Sequence, residues 1–111
     1  MAEVTIDPNT FAELQGTAGA DFVVELVDTF AEEAPQMLAE LRSAFGAAAA
    51  ERFRRAAHSL KSNSNTFGAV RLAEMARTLE LGGLPDSEAP LQKLAAELNG
   101  TLAALKALAR G

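Results

Sequence analysis

The sequence contains no cysteine, tryptophan or tyrosine, and its single histidine is His58. Without cysteine, a disulfide framework and a thiolate site are both excluded. One histidine cannot complete the usual zinc ligand sets or the paired Glu-x-x-His motifs of a carboxylate-bridged di-metal bundle. Aromatic residues make up only 5% of the chain, and strand-type runs hardly occur beyond its first few residues. These absences favour an all-α fold without a metal of its own.

Long apolar runs and a basic charge balance are also absent. No apolar run reaches the roughly 18 residues that a membrane span needs, and we expect no signal peptide, because no charged segment followed by a hydrophobic one begins the sequence. The net charge of −5 argues against general binding to nucleic acid or anionic membranes. The 111 residues suit one domain with one core, so we expect a single domain over residues 1–111. A cytoplasmic protein fits these features.

Helical periodicity is the main structural signal. Asp7 and Pro8 predict the start of a short helix that ends near Gly16. A second, long helix is predicted from about Ala20 to Phe45, with an apolar stripe that continues in phase across Pro35. This continuity favours a kink at the proline over a break into two helices.

Three further helices follow the second one. They are predicted from near Ala48 to Gly68, from about Ala69 to Leu81, and from a cap at Asp86 or Ser87 to about Ala109. The inward positions expected on the last two include Val70, Leu72, Ala73, Ala76 and Leu79, then Leu91, Leu94, Leu98, Leu102 (or Thr101), Leu105 and Leu108. The sequence therefore predicts an antiparallel four-helix bundle with a short additional N-terminal helix.

The third predicted helix separates an apolar face from a polar one. At about 100° per residue, its apolar side chains fall within about 40° of one direction, and His58 points the opposite way. The apolar set is Phe53, Ala56, Leu60 and Phe67. The side chains within about 60° of His58 are cationic or small and polar: Arg54, Arg55, Lys61, Ser62 and Asn65. The imidazole is therefore expected to face solvent beside a small basic patch.

Few chemistries suit this arrangement. Neither of the glycine-rich loops that cradle nucleotide phosphates occurs, so ATP-dependent kinase activity is not expected of this chain. A Ser-His-Asp arrangement is formally possible, but no serine lies in a strained elbow. A solvent-facing imidazole can accept a phosphoryl group as a nucleophile and release it again. Lys61 and the two arginines could supply nearby positive charge, which also favours the neutral, nucleophilic imidazole.

The stretch HSLKSNSNTFGA, residues 58–69, resembles the signature of histidine-containing phosphotransfer (Hpt) domains. That signature reads His, any residue, Leu, Lys, Gly, small residues, an apolar residue, Gly and Ala. The positions that match are His58, Leu60, Lys61, Phe67, Gly68 and Ala69, and the preceding Arg55-Ala56-Ala57 is also typical. The second helix is similar as well, with Phe30 and Pro35 in an apolar–acidic–Pro run. Ser62 departs from the pattern, because the family most often has glycine there.

The resemblance implies a phosphohistidine carrier in multistep His–Asp phosphorelays. His58 would accept a phosphoryl group at Nε2 from the aspartate of a response-regulator receiver domain and pass it to another. Lys61 would stabilise the phosphoryl charge, and Arg54, Arg55, Ser62 and Asn65 would bind the partner. Mg²⁺ is expected on the receiver and no cofactor on this chain.

Several alternatives stay open. The partner could be a free response regulator or a hybrid sensor histidine kinase, and the chain itself could be a free-standing protein or a domain of such a kinase. The expected oligomeric state is a monomer. The rival function is a non-catalytic helical adaptor that binds a receiver or kinase domain without transferring phosphate.

Overall fold

The computed structural model describes residues 6–110, and within this range the chain forms five α-helices and no strand. They are α1 (Pro8–Ala18), α2 (Ala20–Gly46), α3 (Ala50–Thr66), α4 (Val70–Gly82) and α5 (Ala89–Arg110). The predicted all-α bundle with a short leading helix is confirmed, and the helix limits differ from the predicted ones by about two residues. No helix within residues 6–110 is long and apolar enough to cross a membrane.

The first two helices follow the predicted signals closely. Asp7 caps α1, since its carboxylate accepts hydrogen bonds from the Asn9 N–H (3.0 Å) and the Thr10 hydroxyl (2.9 Å). This helix runs past Gly16 to Ala18, and Gly19 caps it with a φ of 93° that suits only glycine well. The second helix continues as one element through Pro35, so the stripe that crosses the proline does belong to a single helix.

The third helix lies against α1, α2 and α4, and its apolar face forms the middle of the core. All four side chains predicted for that face are buried: Phe53, Ala56, Leu60 and Phe67. The Phe67 ring stacks on Phe30 of α2 with 5.2 Å between the ring centroids. Because this face is buried in the core, α3 cannot rotate about its own axis. The direction in which its opposite face points is therefore fixed as well.

Two of the predicted inward positions were wrong. Val70 is 42% exposed and Leu108 is 46% exposed. Val70 is the first residue of α4 and Leu108 lies in the last turn of α5, where a helix has fewer neighbours to cover it. Of the two candidates Leu102 and Thr101 for one inward position, Thr101 is the one that is fully buried. Its hydroxyl donates to the Glu97 carbonyl at 2.8 Å.

Gly68 closes the turn between α3 and α4 and also meets α1. Its φ of 77° is the left-handed conformation expected after a helix, and the Ala69 N–H donates back to the Ser64 carbonyl at 2.9 Å. The Gly68 carbonyl accepts a 2.7 Å hydrogen bond from the Asp7 N–H. A Cβ atom at Gly68 would lie 3.0 Å from both the Asp7 carbonyl oxygen and the Thr10 Cβ. The turn therefore needs glycine for its backbone angle and for the closeness of α1.

We predict that Gly68→Ala destabilises the fold by about 1–3 kcal/mol, because the new methyl group adds left-handed strain and a backbone clash. The free energy of unfolding in urea measures this change. Gly16→Ala is the control, since its added Cβ meets nothing within 4 Å inside α1. That variant should gain about 0.5–1 kcal/mol from helix propensity. Equal stability of Gly68→Ala and the wild type would contradict the proposed crowding at the turn.

Candidate functional site

His58 lies in the middle of α3 on the face opposite the core, and its side chain is 54% exposed. The imidazole Nδ1 is 2.7 Å from Oε2 of Glu80, which comes from α4. An ionised carboxylate can only accept a hydrogen bond, so this contact assigns the ring proton to Nδ1. In the neutral ring the other nitrogen, Nε2, then carries the lone pair and is the atom left for chemistry.

Glu80 holds two side chains of α3 at once. Its second oxygen, Oε1, lies 2.7 Å from the Lys61 ammonium, and the Glu80 side chain is only 10% exposed. The contact with the Lys61 ammonium, and after it the hydrogen bond with His58, lowers the pKa of the Glu80 carboxyl below its ordinary value. Glu80 is therefore ionised at neutral pH, and Lys61 holds it in place for His58.

Sequence reasoning missed Glu80. It placed only cationic and small polar neighbours around His58, because it considered the turns of α3 alone. The connection between α3 and α4 is short, and His58 and Glu80 are equally far along the chain from Ala69 in that turn. Residues placed in this way in an antiparallel helix pair lie at the same height, so the hairpin geometry could have predicted the contact.

The two predicted arginines are neighbours of His58, but both are paired with another residue. Glu51, one turn earlier on α3, accepts from Arg54 Nε (3.0 Å) and Arg54 Nη2 (2.6 Å). Its Oε2 atom is also 3.6 Å from Arg55 Nε. Both arginines, together with His58, Ser59 and Glu80, line one surface depression. The positive charge near His58 is thus present, and it is largely balanced by Glu51 and Glu80.

The other two predicted partner-binding residues occupy different places. Ser62 is exposed and lies one turn beyond His58 on the same helix. Asn65 is exposed too, but it lines a second depression between α3 and α4, with Lys61, Val70 and Arg77 among its other lining residues. The structure therefore brings Ser62 close to His58 and places Asn65 farther along the helix.

This arrangement suits a nucleophilic imidazole. Glu80 fixes the ring and its tautomer, as an orienting carboxylate does in other His-dependent sites. The carboxylate also stabilises the positive charge that the ring acquires when Nε2 forms a new bond. The imidazole side chain is 54% exposed, so its free nitrogen can be reached from solvent.

Comparisons with known proteins agree with the fold and the motif. The Hpt domain family matches residues 25–108 of this chain. The crystal structure of histidine-containing phosphotransfer protein B (HptB) from Pseudomonas aeruginosa PAO1 superposes with a TM-score of 0.74 at 28% sequence identity. The match covers 95% of this chain and 90% of the HptB chain. The chain belongs to the Hpt domain family, whose members take part in phosphorelays. A comparison with curated protein sequences finds no match.

Acid should remove the stabilisation that Glu80 contributes through Lys61. The Glu80 pKa is below its ordinary value of 4.5 in the folded protein, so the contribution is complete above that value. It declines as the pH falls through the lowered folded-state pKa. We expect the difference in unfolding free energy between His58→Gln and His58→Gln/Glu80→Gln to shrink below about pH 4.5. The His58→Gln background removes the titration of the imidazole from the comparison.

Urea denaturation across this pH range measures the effect. Adding Lys61→Met to both proteins provides the control, because Lys61 is the largest cause of the lowered Glu80 pKa. With Lys61 removed, the acid-dependent part of the difference should become smaller. A difference that is the same at every pH, or that Lys61→Met leaves unchanged, would contradict this account of the ion pair.

The hydrogen bond to Glu80 should also set the tautomer of His58. In alkaline buffer, where imidazole is neutral, the wild-type ring should carry its proton mainly on Nδ1. In Glu80→Leu the Nε2–H form should gain population, because the acceptor at Nδ1 is lost. The ¹⁵N chemical shifts of the two ring nitrogens distinguish the tautomers, and His58 is the only histidine, so no assignment is needed. Identical ¹⁵N shifts in the two proteins would rule out this role of Glu80.

Proposed function

We propose that His58 is the phosphoacceptor of this Hpt domain and exchanges a phosphoryl group with the aspartates of receiver domains. The observation that carries the proposal is the state of the imidazole. Its Nδ1 is 2.7 Å from the Glu80 carboxylate, and its side chain is half exposed on the face opposite the core. For transfer from a partner protein, the nucleophilic Nε2 must be held in one orientation and must be accessible to the phosphoryl group.

The transfer step follows from this geometry. The Nε2 lone pair attacks the phosphorus of an aspartyl phosphate, the N–P bond forms, and the bond from phosphorus to the aspartate oxygen breaks. The electron pair of that bond leaves with the aspartate carboxylate. The proton stays on Nδ1, where Glu80 balances the positive charge of the phosphorylated ring. In the reverse step the carboxylate of a second receiver attacks phosphorus, and Nε2 takes back its electron pair.

The partner of this proposal is a response-regulator receiver domain, either free or within a hybrid sensor histidine kinase. The receiver would contribute Mg²⁺ and the acidic pocket around its aspartate. The basic side chains around His58 would then favour the encounter, although the chain as a whole has a net charge of −5. The local field near the docking site matters more for this step than the total charge.

A phosphotransfer assay tests the proposal. Incubation with a phosphorylated receiver domain and Mg²⁺ should place an acid-labile, alkali-stable phosphoryl group on the wild type and none on His58→Gln. In Glu80→Gln the transfer rate should fall by about tenfold, because the ring loses its charge-assisted hydrogen bond. The free energy of unfolding of His58→Gln should lie within about 0.5 kcal/mol of the wild-type value, since the substituted side chain is exposed.

Each contrary outcome has a defined meaning. Label that persists in His58→Gln would place the phosphoacceptor elsewhere. Label that reaches the wild type from none of a panel of receivers would contradict phosphotransfer and favour the adaptor function. A large stability loss in His58→Gln would show that the imidazole supports the fold and is not merely presented on its surface.

A further inference from the structure

Glu51 is a charged residue that the phosphotransfer chemistry does not use, although it lies beside the site. It is in the first turn of α3 and contacts the two arginines that line the depression around His58. Both hydrogen bonds of the Arg54 guanidinium to Glu51 are short, at 3.0 and 2.6 Å. The ion pair with Arg55 is a single 3.6 Å contact. The hydrogen bond from Arg54 is the main reason that the pKa of Glu51 is lowered to about 2, so Glu51 is ionised at any working pH.

Phosphorylation would change the charge balance around these groups. Before transfer, the three cations Arg54, Arg55 and Lys61 contact the two carboxylates Glu51 and Glu80, which leaves one positive charge unbalanced. A phosphoryl group on Nε2 adds about two negative charges and three acceptor oxygens at the depression that the arginines line. His58 is four residues after Arg54 and three after Arg55, which are the spacings of direct neighbours on a helix. The phosphoryl group would therefore compete with Glu51 for the same guanidinium groups.

We infer that Glu51 is a positioning residue that engages Arg54 and Arg55 beside His58 and so limits how strongly the site retains a phosphoryl group. This inference rests on the proposed phosphotransfer function. Arg55 is the group expected to change partners, because its contact with Glu51 is long and its side chain is 72% exposed. Arg54 stays with Glu51, since exchanging its paired hydrogen bonds would cost more.

The consequence is that the phosphorylated protein gives up its phosphoryl group readily. A site that bound the phosphoryl group with both arginines fully available would stabilise the phosphorylated state and shift the exchange toward the carrier. With Glu51 present, each gain of a guanidinium contact by the phosphoryl group costs a contact with Glu51. The equilibrium between His58 and a receiver aspartate is thereby kept closer to balance.

A second ion pair of α3 provides a matched control. Arg52 donates to both carboxylate oxygens of Glu40, at 2.9 and 3.0 Å, and Glu40 is about as exposed as Glu51. This pair joins α3 to α2, and neither residue lines the depression that contains His58. Glu40→Gln therefore removes one negative charge and one arginine contact, while Arg52 keeps its 3.0 Å hydrogen bond to the Ser43 hydroxyl and stays outside the depression around His58.

The experiment measures the equilibrium constant for phosphoryl exchange between this protein and one receiver domain. Glu51→Gln should shift that equilibrium toward phosphorylated His58 by about two- to fivefold, the range typical of exposed ion pairs. Glu40→Gln should leave it within experimental error of the wild type. In an Arg54→Gln/Arg55→Gln background, Glu51→Gln should leave the exchange equilibrium unchanged. If Glu51 acted only by supporting the fold, its substitution would still shift the equilibrium in that background. Melting temperatures of all variants check that they are folded.

The outcomes separate this inference from the proposed function. If the wild type accepts a phosphoryl group but Glu51→Gln behaves like Glu40→Gln, the role of Glu51 is wrong and phosphotransfer stands. An effect of Glu51→Gln that survives loss of both arginines would also overturn the role. If the wild type accepts no phosphoryl group from any receiver, the proposed function fails first and this inference falls with it.

Discussion

The burial of one face of α3 is the constraint on which the rest of the site depends. Phe53 and Leu60 are fully buried on this face, and the Phe67 ring stacks on Phe30 just beyond the helix end. A helix that is fixed in rotation by such contacts presents its opposite face at a defined angle. His58 is exposed because it is half a turn away from side chains that cannot leave the core. One residue inserted before it would turn the imidazole by about 100° and remove it from the open face.

Charged side chains around the imidazole form two groups of three, each made by one carboxylate and two basic side chains. Glu80 reaches across from α4 to His58 and Lys61, whereas Glu51 serves Arg54 and Arg55 from within α3. The first pairing depends on how two helices pack, and the second only on helical spacing. The site therefore combines an orienting contact that belongs to the tertiary fold with local contacts that any isolated α3 could form.

Sequence periodicity was sufficient for the bundle and for the exposed position of His58, because both depend on spacing within one helix. It failed where neighbouring helices decide the outcome. Val70 and Leu108 have the right spacing for the core but lie at helix ends with too few neighbours. Glu80 could not be found from the turns of α3, since its contact with His58 exists only once α3 and α4 pair. The contact between Lys61 and Glu80 could not be found from α3 alone for the same reason.

The position of Glu80 along α4 links the imidazole to the local mobility of that helix. Helix α4 ends at Gly82, so Glu80 lies in its last turn, and the following Leu81 is 67% exposed. The last turn of a helix frays more readily than its centre, because its carbonyl groups lack helical partners. Whenever this turn opens, the ring loses its orienting carboxylate and can rotate about its side-chain bonds. The alignment of the imidazole therefore depends on how firmly the last turn of α4 is held, 22 residues further along the chain, and not on the centre of α3 alone.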